Sequence, residues 1–305
     1  MVMTRAQFAR DLQDGINSHF GMSYDTWPTE YTKFCTKKTE NKRAYVENIL
    51  RVGLGEAVEK PEGGMITFDA GAEGWVSRID FYTISTAIAF TEEAIDDNLY
   101  GDISEIYGKE MGKAMQHAKE VRGSNLLNNA TNSSYTGGDL KSLLATDHPL
   151  WGGGAYSNTF DTPADVSEEA FEDACVQVQG YVNDRGRPII VKVRQAIVPR
   201  QQEFTMERIL KATKRVGTNL NDPNVLKDGG YIPDGYMVSH FLIDPDSWFL
   251  QTDADQGLEF WQRKGLVKKM ETDFRTGNLM WKVQERIGFG WTDPRAIIGS
   301  SGSPV

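Results

Sequence analysis

The feature that most constrains this chain is the stretch from Trp75 to Thr131. A strand-like run, Trp75-Val-Ser-Arg-Ile-Asp-Phe-Tyr-Thr-Ile-Ser-Thr-Ala-Ile-Ala-Phe90, leads into an acid-rich start, Thr91-Glu-Glu-Ala-Ile-Asp-Asp97. A long amphipathic helix is predicted next, over about Asp102 to Asn128. Its apolar face is read from Ile103, Tyr107, Met111, Ala114, Ala118 and Val121, which recur at spacings of three and four. An extended run of that length reaches about 50 Å at roughly 3.3 Å per residue. An ordinary strand needs only about five or six residues. A chain that builds so elongated a frame, with no catalytic constellation beside it, reads as a building block rather than an enzyme.

With 305 residues the chain can bury a sizeable core, as one large or two modest domains. Hydrophobic content of 39% and charged content of 25% exclude wholesale disorder. The N-terminus carries no apolar core of a secretory signal, and no apolar run approaches the length of a membrane-spanning helix. The two cysteines, Cys35 and Cys175, fit a reducing compartment, and Cys175 reads as a small core residue rather than a nucleophile. The net charge of −10 argues against tight nucleic-acid binding, which needs clustered Lys and Arg to neutralise phosphates. Lys33, Lys37, Lys38, Lys42 and Arg43 form one local exception, opposed only by Glu40. A solvated surface or an intersubunit salt bridge is the preferred reading of that strip, ahead of a DNA contact.

Along the chain, residues 1–55 look like an arm. Phe8, Leu12, Ile16 and Phe20 make a narrow stripe on a helix started by Thr4, and a second helix is predicted over Arg43 to Arg51. Residues 53–74 are rich in glycine and hold one short apolar stretch, Met65-Ile-Thr-Phe68. This reads as a projecting hairpin. Asn128 to Asp165 is a long connection rich in Gly, Ser, Thr and Asn. Ser167 is a good N-cap, followed by a helical stripe of Ala170, Phe171, Ala174, Val178 and Val182. A hydrophobic run, Ile189 to Val198, precedes a helix carrying Phe204, Ile209 and Leu210. A short strand is predicted at Phe241-Leu-Ile243. The clearest strand is the last one. Leu279, Trp281, Val283, Ile287, Phe289 and Trp291 alternate with Lys282, Gln284 and Arg286, and Ala296-Ile-Ile298 is expected to pair back on it. Strand blocks separated by helices, without a βαβα rhythm, indicate an α+β fold with mostly antiparallel sheets.

No motif carries catalysis. His19, His117, His148 and His240 lack metal-ligand spacing and are assigned structural or surface roles. Asp253-Ala-Asp-Gln-Gly257 lacks the further ligands of a calcium loop and reads as a turn. Gly152-Gly-Gly154 is not followed by Lys-Ser/Thr, so it is no P-loop, and no nucleophile elbow is present. The cluster Glu92, Glu93, Asp96, Asp97, Asp102 and Glu105 sits where helices begin, so capping is preferred over a metal site. No catalytic, cofactor-binding or metal residue is assigned. Trp75, Trp151, Trp248, Trp261, Trp281 and Trp291 suit extended interfaces as well as cores.

The order of segments resembles a known family. After the arm, the glycine-rich loop and the long strand come Ala89-Phe-Thr-Glu-Glu-Ala-Ile-Asp-Asp97, Leu144-Ala-Thr-Asp-His-Pro149 and Asn221-Asp-Pro-Asn-Val-Leu226. Leu242-Ile-Asp-Pro-Asp-Ser-Trp248, Lys282-Val-Gln-Glu-Arg286, Gly290-Trp-Thr-Asp-Pro-Arg295 and Gly299-Ser-Ser-Gly302 complete it. Together they resemble the major capsid (head) proteins of tailed bacteriophages, with the Hong Kong 97-type fold, in the Mu-like head-subunit branch. The resemblance covers nearly the whole chain.

It implies a map: an N-arm to residue 55, an extended E-loop at 56–79 and a peripheral domain at 80–165 with a spine helix over about 102–128. An axial domain at 166–271 follows, and residues 272–305 return to the peripheral domain. The implied function is a structural, non-enzymatic shell protein that self-assembles into hexamers and pentamers around double-stranded DNA without sequence-specific binding. The implied partners are other copies of itself, a portal protein, a separate scaffolding protein and a decoration or cement protein, with no cofactor. The implied location is the virion, after assembly in the host bacterial cytoplasm. Candidate assembly contacts are Phe8, Leu12, Lys37, Lys38, Met65, Ile66, Phe68 and Trp75. Lys60 falls in the loop, and no cross-linking role is assigned to it. Two other readings stay open: an encapsulin-type compartment on the same fold, and a soluble enzyme with an unrecognised site.

Overall fold

The computed structural model describes residues 18–40, 42–91, 100–214 and 223–302, with residues 100–105 described in backbone only. Phe8, Leu12 and Ile16 of the arm stripe, and the acids Glu92 to Asp97, lie outside the described residues.

Two four-stranded sheets organise the chain. The first runs β1 (Thr36–Thr39), β10 (Leu258–Thr272), β11 (Leu279–Trp291), β4 (Tyr82–Phe90). β1 lies parallel to β10, and the other two pairings are antiparallel. The alternation in β11 dictates its burial: Leu279, Trp281, Val283 and Ile287 point into the core, while Met280 and Lys282 point out. A long helix, Tyr100–Asn128, lies on the buried face together with helical residues 18–26. Phe20 of that segment meets Trp281 edge-on at 5.7 Å.

The second sheet runs β12 (Ile297–Ser300), β9 (Trp248–Thr252), β7 (Val193–Pro199), β8 (Tyr236–Ser239). Helix Glu168–Gln179 packs on it through Ala170, Phe171, Ala174 and Val178, with Phe171 edge-on to Trp248 at 4.9 Å. Its start follows from sequence. The Ser167 side chain accepts the Ala170 N–H at 3.0 Å, and Glu168 and Glu169 sit in the first turn. A separate hairpin pairs β2 (Tyr45–Val52) with β3 (Ala72–Asp80), and a small one pairs β5 (His148–Pro149) with β6 (Ala155–Tyr156).

Several expectations are corrected. The run from Trp75 to Phe90 is not one strand. β3 ends at Asp80 and pairs with β2, and β4 begins at Tyr82 and pairs with β11, so Phe81 is where the chain changes partner. The crossing is tight: a Cβ on Gly288 would sit 2.9 Å from the Asp80 carbonyl oxygen. Where a helix is expected over Arg43 to Arg51, the chain forms strand β2 (Tyr45–Val52), with Val46, Leu50 and Val52 buried at the period of two that pairing with β3 imposes. Phe241 to Ile243 form no strand. Leu242 is buried and Ile243 is exposed, in a turn held by the end of the long helix. Asn128 donates to the Phe241 carbonyl at 3.0 Å and accepts the Ile243 N–H at 3.0 Å. Ile297 and Ile298 pair with β9 in the second sheet, not back on β11. In helix Glu203–Lys211 the fully buried anchor is Met206, and Phe204 faces outward.

The long helix forms where expected but buries a different face. Tyr107 and Ala114 are exposed and Ala118 and Val121 half-buried, so of the expected stripe with a described side chain only Met111 is buried. The buried face instead runs through Gly108, Met111, Gly112, Met115, Gln116, Lys119, Glu120, Gly123, Ser124 and Leu127. Small residues let other backbone approach. A Cβ on Gly112 would lie 3.0 Å from the Phe20 carbonyl oxygen, and one on Gly123 only 2.7 Å from the Tyr31 Cβ. Polar groups fasten what approaches. Glu120 accepts the N–H groups of Glu30 (2.8 Å) and Tyr31 (3.0 Å), at the start of the short helix Tyr31–Phe34. Burial raises the Glu120 carboxyl above the usual carboxylate range, against the pull of those two N–H donors. Lys119 lies 3.4 Å from the Glu285 carboxylate, which also accepts from Tyr24 (2.9 Å) and Gln262 (2.8 Å).

Candidate assembly interface

Hairpin β2–β3 carries a loop, residues 53–71, whose large apolar side chains face water. Met65 and Phe68 are 94% and 95% exposed and Ile66 68%, with Val58 and Leu54 exposed beside them. The alternation that buries Val46, Leu50 and Ile79 ends with the strands, and the loop offers no second layer to cover these groups. Its base is fixed. Arg185 holds the Asp69 carboxylate at 3.1 Å and donates to the Ala70 carbonyl at 2.6 Å, while Arg187 donates to the Leu54 carbonyl. Asp69 also accepts the Gly55 N–H, and these donors hold its carboxyl below the usual range. The base is anchored and the tip is left without apolar cover.

The other expected contact residues sit differently. Lys38 pairs at 2.5 Å with Glu259, a buried carboxylate that also accepts from Asn48 (2.6 Å) and Trp261 (2.7 Å), so it neutralises a charge of its own chain. Lys37 is exposed at the sheet edge. Trp75 is half-buried against Gly138, whose Cβ would fall 2.8 Å from the Trp75 ring. Phe8 and Leu12 lie outside the described residues. The structure therefore brings together Met65, Ile66 and Phe68, and leaves Lys37, Lys38 and Trp75 apart from them.

Several buried polar residues between Asp139 and Arg295 act as clips within the chain. His148 is fully buried, with Nδ1 2.6 Å from Asp139 and Nε2 3.1 Å from the Asn158 side-chain oxygen. Asn158 in turn donates to the carbonyls of Leu143, Pro294 and Ile297 at 2.7–3.1 Å, tying the long connection to the end of the chain. Arg295, 2% exposed, donates to Asp184 (3.0 Å), Asp293 (3.3 Å) and the Val182 carbonyl (3.0 Å), and lies over the Tyr156 ring. Trp248 donates its indole N–H to the Ala164 carbonyl at 2.8 Å. Sequence reasoning missed Asn158 and Glu120 because a lone polar residue in a polar stretch carries no periodic signal. These side chains hold segments of the chain together, although the buried hydroxyls of Tyr156 and Tyr181 beside Arg295 have no hydrogen-bond partner. Among the described residues no group of three His, Cys, Asp or Glu is placed to hold a metal ion, and no helix is long and apolar enough to cross a membrane.

Comparison with known proteins supports the same reading. The family model described as phage capsid protein matches residues 76–300. No curated protein matches the chain. Among solved structures, the capsid of the cyanophage P-SCSP1u superimposes with a TM-score of 0.57 at 12% identity, over 89% of this chain and 87% of that one. The capsid of Ralstonia phage GP4 gives 0.53 at 14% identity, over 91% and 89%. The capsid of a native GTA particle gives 0.54 at 9% identity, over 91% and 92%. At these identities the likeness is one of fold: the mixed helix and strand architecture is of the Hong Kong 97 type.

Proposed function

Because the chain belongs to the phage capsid protein family, we propose that it is the subunit that self-assembles into hexamers and pentamers of an icosahedral head enclosing double-stranded DNA. A structural capsid shell protein is the coarse statement that the family match carries. The observation that supports the finer one is the apolar tip of loop 53–71. Covering Met65, Ile66 and Phe68 is worth roughly 1.5–3 kcal/mol for each side chain, and among the described residues nothing in the same subunit covers them. A neighbouring subunit is the natural cover, in the manner of permanent interfaces that bury roughly 2,000 Å² or more.

In this reading residues 1–55 form the N-arm and 56–79 the E-loop, lying on adjacent subunits. The long helix and first sheet form the peripheral part, and the second sheet forms the axial part. In this reading the axial part spans residues 166–271 and residues 272–305 return to the peripheral part, and the pairing of β10 with β11 supports a return that starts earlier, near residue 257. Portal, scaffolding and decoration proteins are the further partners, the DNA is held without sequence readout, and assembly takes place in the host bacterial cytoplasm before the protein resides in the virion. An enzyme-storing compartment shares the fold, so the family match, not the fold, favours the phage head.

Deleting Lys60 to Ala72 tests the reading. The excised residues contribute almost no intrasubunit core, so a folded subunit is expected that forms no closed shells by size-exclusion chromatography and negative-stain microscopy. Normal shells from the deleted chain would refute it.

A further inference from the structure

The face of the first sheet opposite the one that buries Trp281, Val283 and Ile287 carries an unusual arrangement of charge. Three strands pair there, regularly from Val267 to Thr272, with register shifts in β10 on either side of Lys264. Lys264 lies opposite Arg286, and Arg286 opposite Thr83; Val267, Gln284 and Ser85 form the next row. Lys269 lies opposite Lys282, beside Ala87, and Glu271 opposite Met280, beside Ala89. Directly opposed side chains on neighbouring strands stand about 4.5–5.5 Å apart at Cβ, and like charges so placed destabilise the sheet. Two such cationic pairs occur on one face of a chain whose net charge is −10. Glu271 is the single carboxylate in these rows. Among the described residues neither it nor any of the four cations takes part in an ion pair. Arg286 also buries its Nε without a hydrogen-bond partner. Beside the cations β4 presents only Thr83, Ser85, Ala87 and Ala89, all exposed, which leaves a shallow floor edged by Val267 and Met280.

The complementary set of groups is on the same chain. Loop 53–71 carries Glu56, Glu59 and Glu62 at a spacing of three, all exposed, none ion-paired among the described residues, with Lys60 as the loop's one cation. Met65, Ile66 and Phe68 follow directly. The loop's base is tied by Asp69 and Leu54 to Arg185 and Arg187 of its own subunit, and its acids touch no cation of that subunit's sheet. We propose that the cationic rows Lys264/Arg286 and Lys269/Lys282 receive the acidic segment Glu56–Glu62 of a second copy's loop, with Val267 and Met280 meeting its apolar residues. The inference rests on the reading that the loop lies on a neighbour, and adds where and by what chemistry it is held. The cross-strand repulsion is tolerated because the assembled state supplies the counter-charge, which makes the contact specific and salt-dependent.

A charge swap in the full-length chain tests it. The variants are E56K/E59K/E62K, K269E/K282E and their combination, with shell yield read by gradient sedimentation and negative-stain microscopy. Far-UV circular dichroism of the unassembled subunit checks folding. K282E alone turns a repulsive pair into an attractive one, so its subunit is expected to melt no lower than the unsubstituted chain. Each single-sided set is expected to lower shell yield at least about tenfold, and the combination to restore most of it. Full yield from either single-sided set would overturn the inference, as would a folded combination that still forms no shells. A K269E/K282E chain that assembles normally but fails to retain DNA would also overturn it, assigning the face to phosphate instead. Shells from the Lys60 to Ala72 deletion would refute the underlying reading. Shell loss on deletion together with normal shells from the charge-reversed chains would refute this inference alone.

Discussion

In a Lys119→Met subunit the Glu285 carboxylate would lose an ammonium 3.4 Å away while staying in the core, since the two side chains are 4% and 0% exposed. At that separation and an effective dielectric constant of about 20 the attraction is about 5 kcal/mol before any desolvation cost. Burial works against it. Desolvation is the largest influence on Lys119 and holds it below the ordinary lysine range, with Glu285 the chief opposing one. The intact pair is therefore close to neutral, but the half-pair is not. Glu285 would keep only its hydrogen bonds from Tyr24 and Gln262, and a buried charge left by removing one partner typically costs about 3–5 kcal/mol. Urea unfolding of the unassembled subunit, followed by tryptophan fluorescence, measures this. The double variant K119M/E285Q retains an acceptor for Tyr24 and removes the orphan charge, so it should recover most of the loss. A single variant costing under about 1 kcal/mol, or a double that equals the sum of the two singles, would refute the reasoning. The pH dependence has a definite sign. Because Lys119 is lowered in the folded state, the unfolded chain binds more protons just below the ordinary lysine value of about 10.4. Stability should therefore rise with pH through that window, a slope missing in Lys119→Met.

Other expectations follow from packing and burial. Met111→Asp places a charge at a position 4% exposed and is expected to cost several kcal/mol, read as loss of soluble subunit or a large drop in the urea midpoint. Asn158→Ala removes three donated and two accepted hydrogen bonds at a fully buried site; a loss of about 3 kcal/mol or more by calorimetry is expected. Gly123→Ala puts a methyl 2.7 Å from the Tyr31 Cβ, for a cost of about 1–3 kcal/mol in the same assay. Burial raises the Cys35 thiol well above its usual value and pushes Cys175 up to about 11, so neither should react with a thiol reagent at pH 8 until the subunit is unfolded.

What was legible in the sequence is what local chemistry decides alone. β11 was read correctly because a half-buried strand must alternate, and Leu279 through Ile287 do so without interruption apart from the buried Glu285. Ser167 was read correctly because a cap is a short-range bond to the Ala170 N–H. The exposed loop followed from its glycines and its lack of a second apolar layer. The failures are places where a distant partner overrides local preference. Residues 45–52 satisfy a helical spacing as well as a strand alternation, and pairing with β3, across a loop, decides for the strand. The partner change at Phe81 depends on Gly288, far along the chain, leaving room for the crossing.

The long helix shows why a correct element can still be misread in its packing. A hydrophobic stripe marks the buried face only when burial is achieved with apolar area. Here the covering elements, residues 18–26 and Tyr31–Phe34, come close enough that a methyl at Gly112 or Gly123 would collide, so side-chain volume is excluded from the contact. What remains is fastened by directed bonds: Ser23 to the Lys109 carbonyl at 2.9 Å, Gln116 to the Tyr24 carbonyl at 2.8 Å, and Glu120 to two backbone N–H groups. Such bonds are satisfied in one register only, because a shift of the covering segment by a single residue would leave the Glu120 carboxylate buried without its two N–H donors and take the Tyr24 hydroxyl away from the Lys119–Glu285 pair. A greasy seam of equal area would tolerate that slip. The polar face therefore fixes the one register in which residues 18–34 lie against the long helix, a positional precision that apolar area alone would not give.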